Sequence, residues 1–332
     1  MYLRLFLRFL VLGVALAPLL AVAQEDMGND AWARQEEPTT PERKRPSFFA
    51  RPAMPSAERQ FEYAAALEKN GKDRAAIKQY DALVHKWAVA PEAPKAQLRC
   101  AQLLEKQEKY QKAFDEYQYL IAYYAGLFAY DEVIEHQYAI ANHIMTVKHG
   151  GQLFLPTFTS PEKALPLLKQ LVSNAPTWAR APEALLKIGS IHERQRDYDK
   201  AIAIYEQIAS RYADSTFAGE AAFREGFCLY SLSAMSRPDR DAAEQARAYL
   251  ARFLRNHAES EHASAAKEYV ATLDRRLAHL LYDRARFYDK AGRLESARLA
   301  YQELLTSYPS SEWSNAAQQR LTELKQGTEN KP

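Results

Sequence analysis

The sequence predicts an all-α fold of stacked helical hairpins, and three observations carry that prediction. Glycine is scarce, at 11 of 332 residues, while hydrophobic and charged residues stand at 47% and 26%. The turns and phosphate loops that depend on glycine are therefore nearly absent, and the composition suits helices around a packed core. An alanine-anchored apolar stripe recurs at helical spacing, and one turn pattern recurs just ahead of it.

The elements are taken in chain order. Met1 to Arg8 carries Arg4 and Arg8, an apolar run of 15 residues follows from Phe9 to Ala23, and Ala21-Val22-Ala23 places small residues at a cleavage position. Residues 1–23 are expected to be a secretory signal peptide, the run being shorter than the ~20 apolar residues needed to cross a bilayer. Its removal takes two arginines and no acid, leaving basic and acidic residues equal in number. Nucleic acid, which is held through an excess of Lys and Arg, is not an expected partner. Residues 24–55, with Pro38, Pro41, Pro46, Pro52 and Pro55, are expected to be a disordered, semi-extended linker whose basic triplet Arg43-Lys44-Arg45 is solvated. From Ser56, a candidate N-cap, amphipathic helices follow to residue 325, and 326–332 is expected to be a disordered tail.

Within 56–325 the chain repeats. Gly71-Lys72-Asp73-Arg74-Ala75-Ala76, Glu108-Lys109-Tyr110-Gln111-Lys112-Ala113, Arg196-Asp197-Tyr198-Asp199-Lys200-Ala201 and Gly292-Arg293-Leu294-Glu295-Ser296-Ala297 each start a helix. Four residues after each final alanine comes Tyr80, Tyr117, Tyr205 or Tyr301, and three further on Leu83, Leu120, Ile208 or Leu304, the stripe of a buried face. Seven residues before each turn stands Ala64, Ala101, Gly189 or Ala285, small enough for two helices to approach closely. Weaker copies fall on Ala164 with Leu168 and Leu171, and on Ala246 with Leu250 and Phe253, so about six hairpins are expected. The anchors lie 37, 51, 37, 45 and 51 residues apart, which implies insertions in the third and fifth units and an additional helix before the sixth. Tyr212-Ala213-Asp214-Ser215, His257-Ala258-Glu259-Ser260 and Tyr308-Pro309-Ser310-Ser311 each close a helix and offer a serine to cap the next.

This pattern resembles the tetratricopeptide repeat, which implies a right-handed superhelical solenoid with a concave inner surface. The C-terminal half is similar to a narrower family. Ala222-Phe223-Arg224-Glu225-Gly226, Asp239-Arg240-Asp241, Ala271 to Ala278, Ala285-Arg286-Phe287-Tyr288 and Tyr308-Pro309-Ser310 resemble the outer-membrane assembly lipoprotein family BamD, also called YfiO. The likeness covers 56–325, most strongly 181–312, and includes that family's inserted loop and long connecting helix. It implies a periplasmic scaffold, peripheral at the outer membrane, working beside the barrel-assembly machine on unfolded outer-membrane proteins. Members usually carry a lipobox cysteine at the cleavage site; Leu20-Ala21-Val22-Ala23-Gln24 has none, so no lipid anchor is expected. The alternative is a general cell-envelope scaffold of the CpoB type, tied to cell division or peptidoglycan.

Reactive chemistry has little support in the sequence. His136, His143 and His149 are spaced by 7 and 6 residues, which does not suit one metal ion, and His257 and His262 flank an expected solvated loop. Glu36-Glu37 and Glu259 with Glu261 have no partner to raise a carboxyl pKa, and no phosphate loop or nucleophile elbow occurs. No enzyme activity, metal or cofactor is expected. Cys100 and Cys228 fall in the second and fifth units, too far apart for a disulfide, and are expected to be separate buried thiols.

The expected function is binding. Projecting the repeat onto the inner face gives candidate peptide-binding residues Phe61, Leu98, Arg99, Gln102, Tyr138, Asn142, Leu186 and Lys187, with Ala65 and Ser190 beside them. Tetratricopeptide domains that grip a terminal carboxylate resemble one another in having Lys and Asn where Phe61, Leu98 and Ala65 stand here, so that mode is disfavoured. An apolar, aromatic strip edged by Arg99 and Lys187 suits an unfolded barrel strand. Tyr119, Tyr123 and Tyr130 fall off the packing stripe and are divided between inter-repeat packing and a recognition surface, and the apolar insertion 147–161 is expected to fold on the concave face or meet a partner.

Overall fold

The computed structural model describes residues 40–45, 50–149, 158–235 and 239–329. The expected signal peptide, most of the expected linker, the Gly150–Thr157 part of the insertion and the end of the tail lie outside them. Among the described residues twelve α-helices form six antiparallel hairpins: α1 (Ala57–Lys69) with α2 (Asp73–Lys86), α3 (Ala93–Lys106) with α4 (Tyr110–Tyr123), and α5 (Tyr130–Thr146) with α6 (Leu165–Asn174). Then come α7 (Ala181–Arg194) with α8 (Tyr198–Arg211), α9 (Ala218–Met235) with α10 (Arg240–Asn256), and α11 (Ala263–Lys290) with α12 (Leu294–Ser307). A thirteenth helix, α13 (Ser314–Glu329), packs on α12 and closes the stack. The only strands among the described residues are β1 (Lys148–His149) and β2 (Phe158–Thr159), an antiparallel pair at the base of the insertion.

The turn residues explain why each hairpin closes where it does. Gly71, Glu108, Arg196 and Gly292 share a left-handed backbone, with φ of 70°, 58°, 61° and 70°. In each, the following N–H reaches back to a first-helix carbonyl, as Lys109 does to Leu104 at 2.9 Å, so the last turn is satisfied. The stripe tyrosines Tyr80, Tyr117, Tyr205 and Tyr301 are all buried, as are Leu83, Leu120, Ile208 and Leu304. Gly189 has a packing reason: a Cβ built there would lie 2.8 Å from Cζ of Tyr205. The weaker anchors Ala164 and Ala246 are buried with their partners Leu168, Leu171, Leu250 and Phe253.

Three expectations are corrected. No additional helix precedes the sixth unit; α11 runs unbroken for 28 residues. Its Ala266, Leu273 and Leu277 join the core of the fifth unit, and its Ala278, Leu281 and Ala285 that of the sixth. One continuous amphipathic helix thus couples two hairpins. Ser215 and Ser260 do not cap the next helix directly: their Oγ atoms accept from Phe217 N and His262 N, at 3.0 and 3.2 Å, inside the connecting turn. Within the basic triplet Arg43 and Arg45 are exposed as expected, but Lys44 is not solvated: its side chain is 14% exposed and is held against α2, α3 and α4.

Cys100 and Cys228 are free, buried thiols on α3 and α9.

Candidate functional site: the first-helix groove

A three-residue latch ties each strong unit to the next. The second-helix tyrosine donates to an acid three residues before the turn: Tyr80 to Glu68 at 3.0 Å, Tyr117 to Glu105 at 2.8 Å, Tyr205 to Glu193 at 2.9 Å and Tyr301 to Asp289 at 3.5 Å. The same acid meets a base on the next first helix. Arg99 Nε lies 3.3 Å from Glu68, His136 Nδ1 2.9 Å from Glu105, Arg224 Nη1 3.3 Å from Glu193 and Arg320 Nε 2.6 Å from Asp289. Every tyrosine is 12 residues and every base 31 residues after its acid, so the spacing is a property of the repeat. Burial raises the tyrosine pKa values, to about 12 at Tyr80 and Tyr301. Each hydroxyl thus stays a donor, and each acid serves two partners.

The acids and bases of the first two latches line a groove of about 550 Å³ across α1, α3 and α5, where Glu68, Arg99, Gln102, Glu105, Lys106 and His136 are joined by Leu103 and Tyr110. Its chemistry is polar and of mixed charge. This corrects the expected apolar, aromatic strip. Phe61 packs on the Tyr80 ring at 5.4 Å, and Leu98 and Leu186 are partly buried against the core. Arg99 is held by Glu68 and by Gln102 Oε1, 2.7 Å from its Nη1, yet its side chain remains 43% exposed.

Further along, Tyr138 is 1% exposed, so its ring is core and not a ligand contact. It stacks edge-on with Trp178 at 5.1 Å and lies under the Arg180 guanidinium at 4.2 Å. Lys187 donates to Tyr138, to Asn142 Oδ1 at 2.8 Å and to Glu183 Oε1 at 3.0 Å. Burial raises the Glu183 pKa, but hydrogen bonds from Tyr138, Arg180 and Lys187 outweigh it and hold the carboxyl at about 2. The structure brings Tyr138, Asn142 and Lys187 together as a cross-helix brace, and brings Arg99 and Gln102 together in the groove.

The other singled-out side chains also have partners. His136 stacks on Tyr117 at 5.2 Å, and His143 on Tyr110 at 4.1 Å. His262 stacks on Phe223 at 4.4 Å and His257 on Phe253 at 5.1 Å, so both histidines pack on core rings while Ala258, Glu259 and Glu261 of the loop that they flank are exposed. Tyr130 donates to Asn174 O at 2.7 Å. Tyr119 is buried and, with Tyr123, faces the N-terminal segment. Among the described residues no helix is long and apolar enough to cross a membrane.

Comparison with known proteins agrees with the repeat. A tetratricopeptide-repeat family model matches residues 183–215 and 280–311, and a second model of the same description matches 56–127. The chain therefore carries tetratricopeptide repeats over these segments. Among solved structures it is similar to a tetratricopeptide repeat protein from Parabacteroides merdae, at 16% identity over 81% of this chain and 98% of that one, TM-score 0.29. It is also similar to the C-terminal part of a repeat-containing protein from Cytophaga hutchinsonii, at 15% identity over 77% and 98%, TM-score 0.27. No curated protein matches the chain.

Proposed function

We propose that this chain is a non-enzymatic scaffold of the periplasm that holds partner proteins and extended peptides during outer-membrane protein assembly, in the manner of the BamD family. Solenoids of this kind present an extended surface to other proteins, and the first-helix groove supplies one of suitable length. The observation that carries the narrower reading is α11, whose 28 residues stand where the resemblance expects a long connecting helix. The polar groove floor favours an extended segment whose backbone N–H and C=O groups meet Arg99, Gln102 and Glu105, in place of an apolar strand lying on aromatic rings.

The test is affinity purification of the tagged chain from its own cell envelope after mild cross-linking. Co-purification of the barrel-assembly subunit, weakened by Arg99→Glu, is the expected result. Recovery of cell-division or peptidoglycan proteins without that subunit would overturn this reading in favour of the CpoB-like one.

A further inference from the structure

The second-helix side of the first two units carries a site that the groove does not use. Two buried glutamines, Gln60 on α1 and Gln97 on α3, each donate to a second-helix carbonyl 19 residues on, Gln79 O at 3.0 Å and Glu116 O at 2.9 Å. Each pair forms a notch, and each notch holds part of the chain's own N-terminal segment. In the first, Gln79 Oε1 accepts from Ala53 N at 3.2 Å and Gln60 Oε1 from Met54 N at 2.9 Å. In the second, the Lys44 ammonium sits 2.7 Å from Asp81 Oδ1, 2.6 Å from Glu116 Oε2 and 3.4 Å from Gln97 Oε1, above the Tyr119 ring at 5.2 Å.

We infer that the notch formed by Asp81, Gln97, Glu116, Tyr119 and Tyr123 is a binding site for an extended basic peptide with one central lysine, filled in cis by Thr40–Arg45 and available to a partner's peptide when that segment leaves. Four features carry this. First, every recognising group belongs to α2, α3 or α4, so the site is complete without the segment it holds. Second, the segment is read through its backbone: Tyr123 OH donates to Pro41 O at 2.6 Å, Lys44 N donates to Tyr119 OH at 3.1 Å, and His85 Nδ1 lies 2.5 Å from Arg45 O. Such contacts tolerate many sequences, and the one enclosed side chain supplies the selectivity.

Third, the enclosed group is matched as a lysine. Three oxygens converge on one compact ammonium with three donors, a geometry that a planar guanidinium does not reproduce. Arg43, by contrast, only lies over the Tyr123 ring at 5.7 Å. Without a cation the notch would leave the Asp81 and Glu116 carboxylates together beside the buried Gln97 and Cys100. Fourth, the notch adjoins, at Pro41, a cavity of about 230 Å³ lined by Phe114, Gln118 and Leu167, which gives an extended peptide an apolar surface beside the acidic one. The site lies apart from the groove, and its test is independent of any role in the envelope.

The experiment titrates a fluorescein-labelled peptide of residues 38–46 against the full wild-type chain and two full-length variants, Lys44→Glu and Lys44→Gln, with helical content checked by circular dichroism. The expected result is that both variants keep their helices and bind at least about tenfold more tightly than wild type, whose resident segment competes. Binding is lost when norleucine replaces the peptide's lysine, or when Glu116→Lys is added to Lys44→Gln. Equal binding by all three chains, no binding by folded variants, or equal affinity for the norleucine peptide would each overturn the inference. So would loss of helix in both Lys44 variants, because the segment would then be an obligatory part of the fold. A wild-type dimer that Lys44→Glu dissociates would assign the notch to a second copy and overturn the cis arrangement.

Discussion

Glu225 on α9 sits in the fifth unit at 4% exposure. Burial pushes its pKa up from 4.5 to about 7; a hydrogen bond from Tyr249 pulls it down, Glu206 pushes it up and Arg252 pulls it down. A rise of this size, at about 1.4 kcal/mol per pH unit, corresponds to about 3 kcal/mol of differential stability between the protonated and ionised forms. The folded pKa lies above the unfolded one, so the folded state binds the proton more tightly. This stability is fully present below the unfolded value of 4.5 and is lost as pH rises through about 7. Glu225→Gln keeps an oxygen for the Tyr249 hydroxyl and removes the ionisation. The variant is expected to be more stable than wild type by up to about 3 kcal/mol near pH 8, and nearly equal to it near pH 4. Urea unfolding at both pH values gives the difference. Hydrogen exchange in α9 and α10 localises it, since repeat arrays open unit by unit. A gain of the same size at both pH values, or a loss near pH 8, would refute the reasoning that desolvation of this carboxylate is what opposes folding.

Two further predictions concern the repeat itself. Glu193→Ala removes the shared acceptor of the buried Tyr205 hydroxyl and the Arg224 guanidinium, and is expected to lower stability by about 1–3 kcal/mol. A double-mutant cycle with Tyr205→Phe checks it: strict additivity, read from urea midpoints, would mean that the two side chains do not act as one latch. Arg196→Gly relieves a left-handed backbone at φ 61°, and its relief exceeds the added freedom of the unfolded chain, for a net gain of about 0.5 kcal/mol. A lower melting temperature would show that the Arg196 side chain has a stabilising partner that outweighs the strain.

The hairpins were legible because their signals are local and repeated. Ala76, Tyr80 and Leu83 lie within two helical turns, and the same spacing at Ala113, Ala201 and Ala297 fixes the buried face of four second helices without any long-range information. The turn was legible for the same reason, although only Gly71 and Gly292 announce a left-handed residue, while Glu108 and Arg196 adopt one because the flanking helices hold the backbone there. The placement of α11 was harder. Its apolar residues up to Leu277 serve one core and those from Ala278 another, so one unbroken helix looks in sequence like two.

The inner face was misjudged through residue type. Tyr138 and Phe61 looked like exposed rings on a groove, but an aromatic side chain on a first helix has the reach to cross to Trp178 or Tyr80, and burying a ring outweighs leaving it to wait for a ligand. The latch that does line the groove was present in the register of the repeat: Glu68, Glu105, Glu193 and Asp289 occupy one position, and Arg99, His136, Arg224 and Arg320 another. These acidic and basic positions recur as regularly as the alanines do. Lys44 belongs to a different category. Its partners Asp81, Gln97 and Glu116 lie 37, 53 and 72 residues away on three helices. Proline density correctly excluded helix and sheet for that segment, yet an extended chain without internal hydrogen bonds has every backbone group free to meet a surface. The same composition therefore describes both a solvated linker and a bound peptide, and what separates them is an acidic notch that only the stacking of the first two units creates.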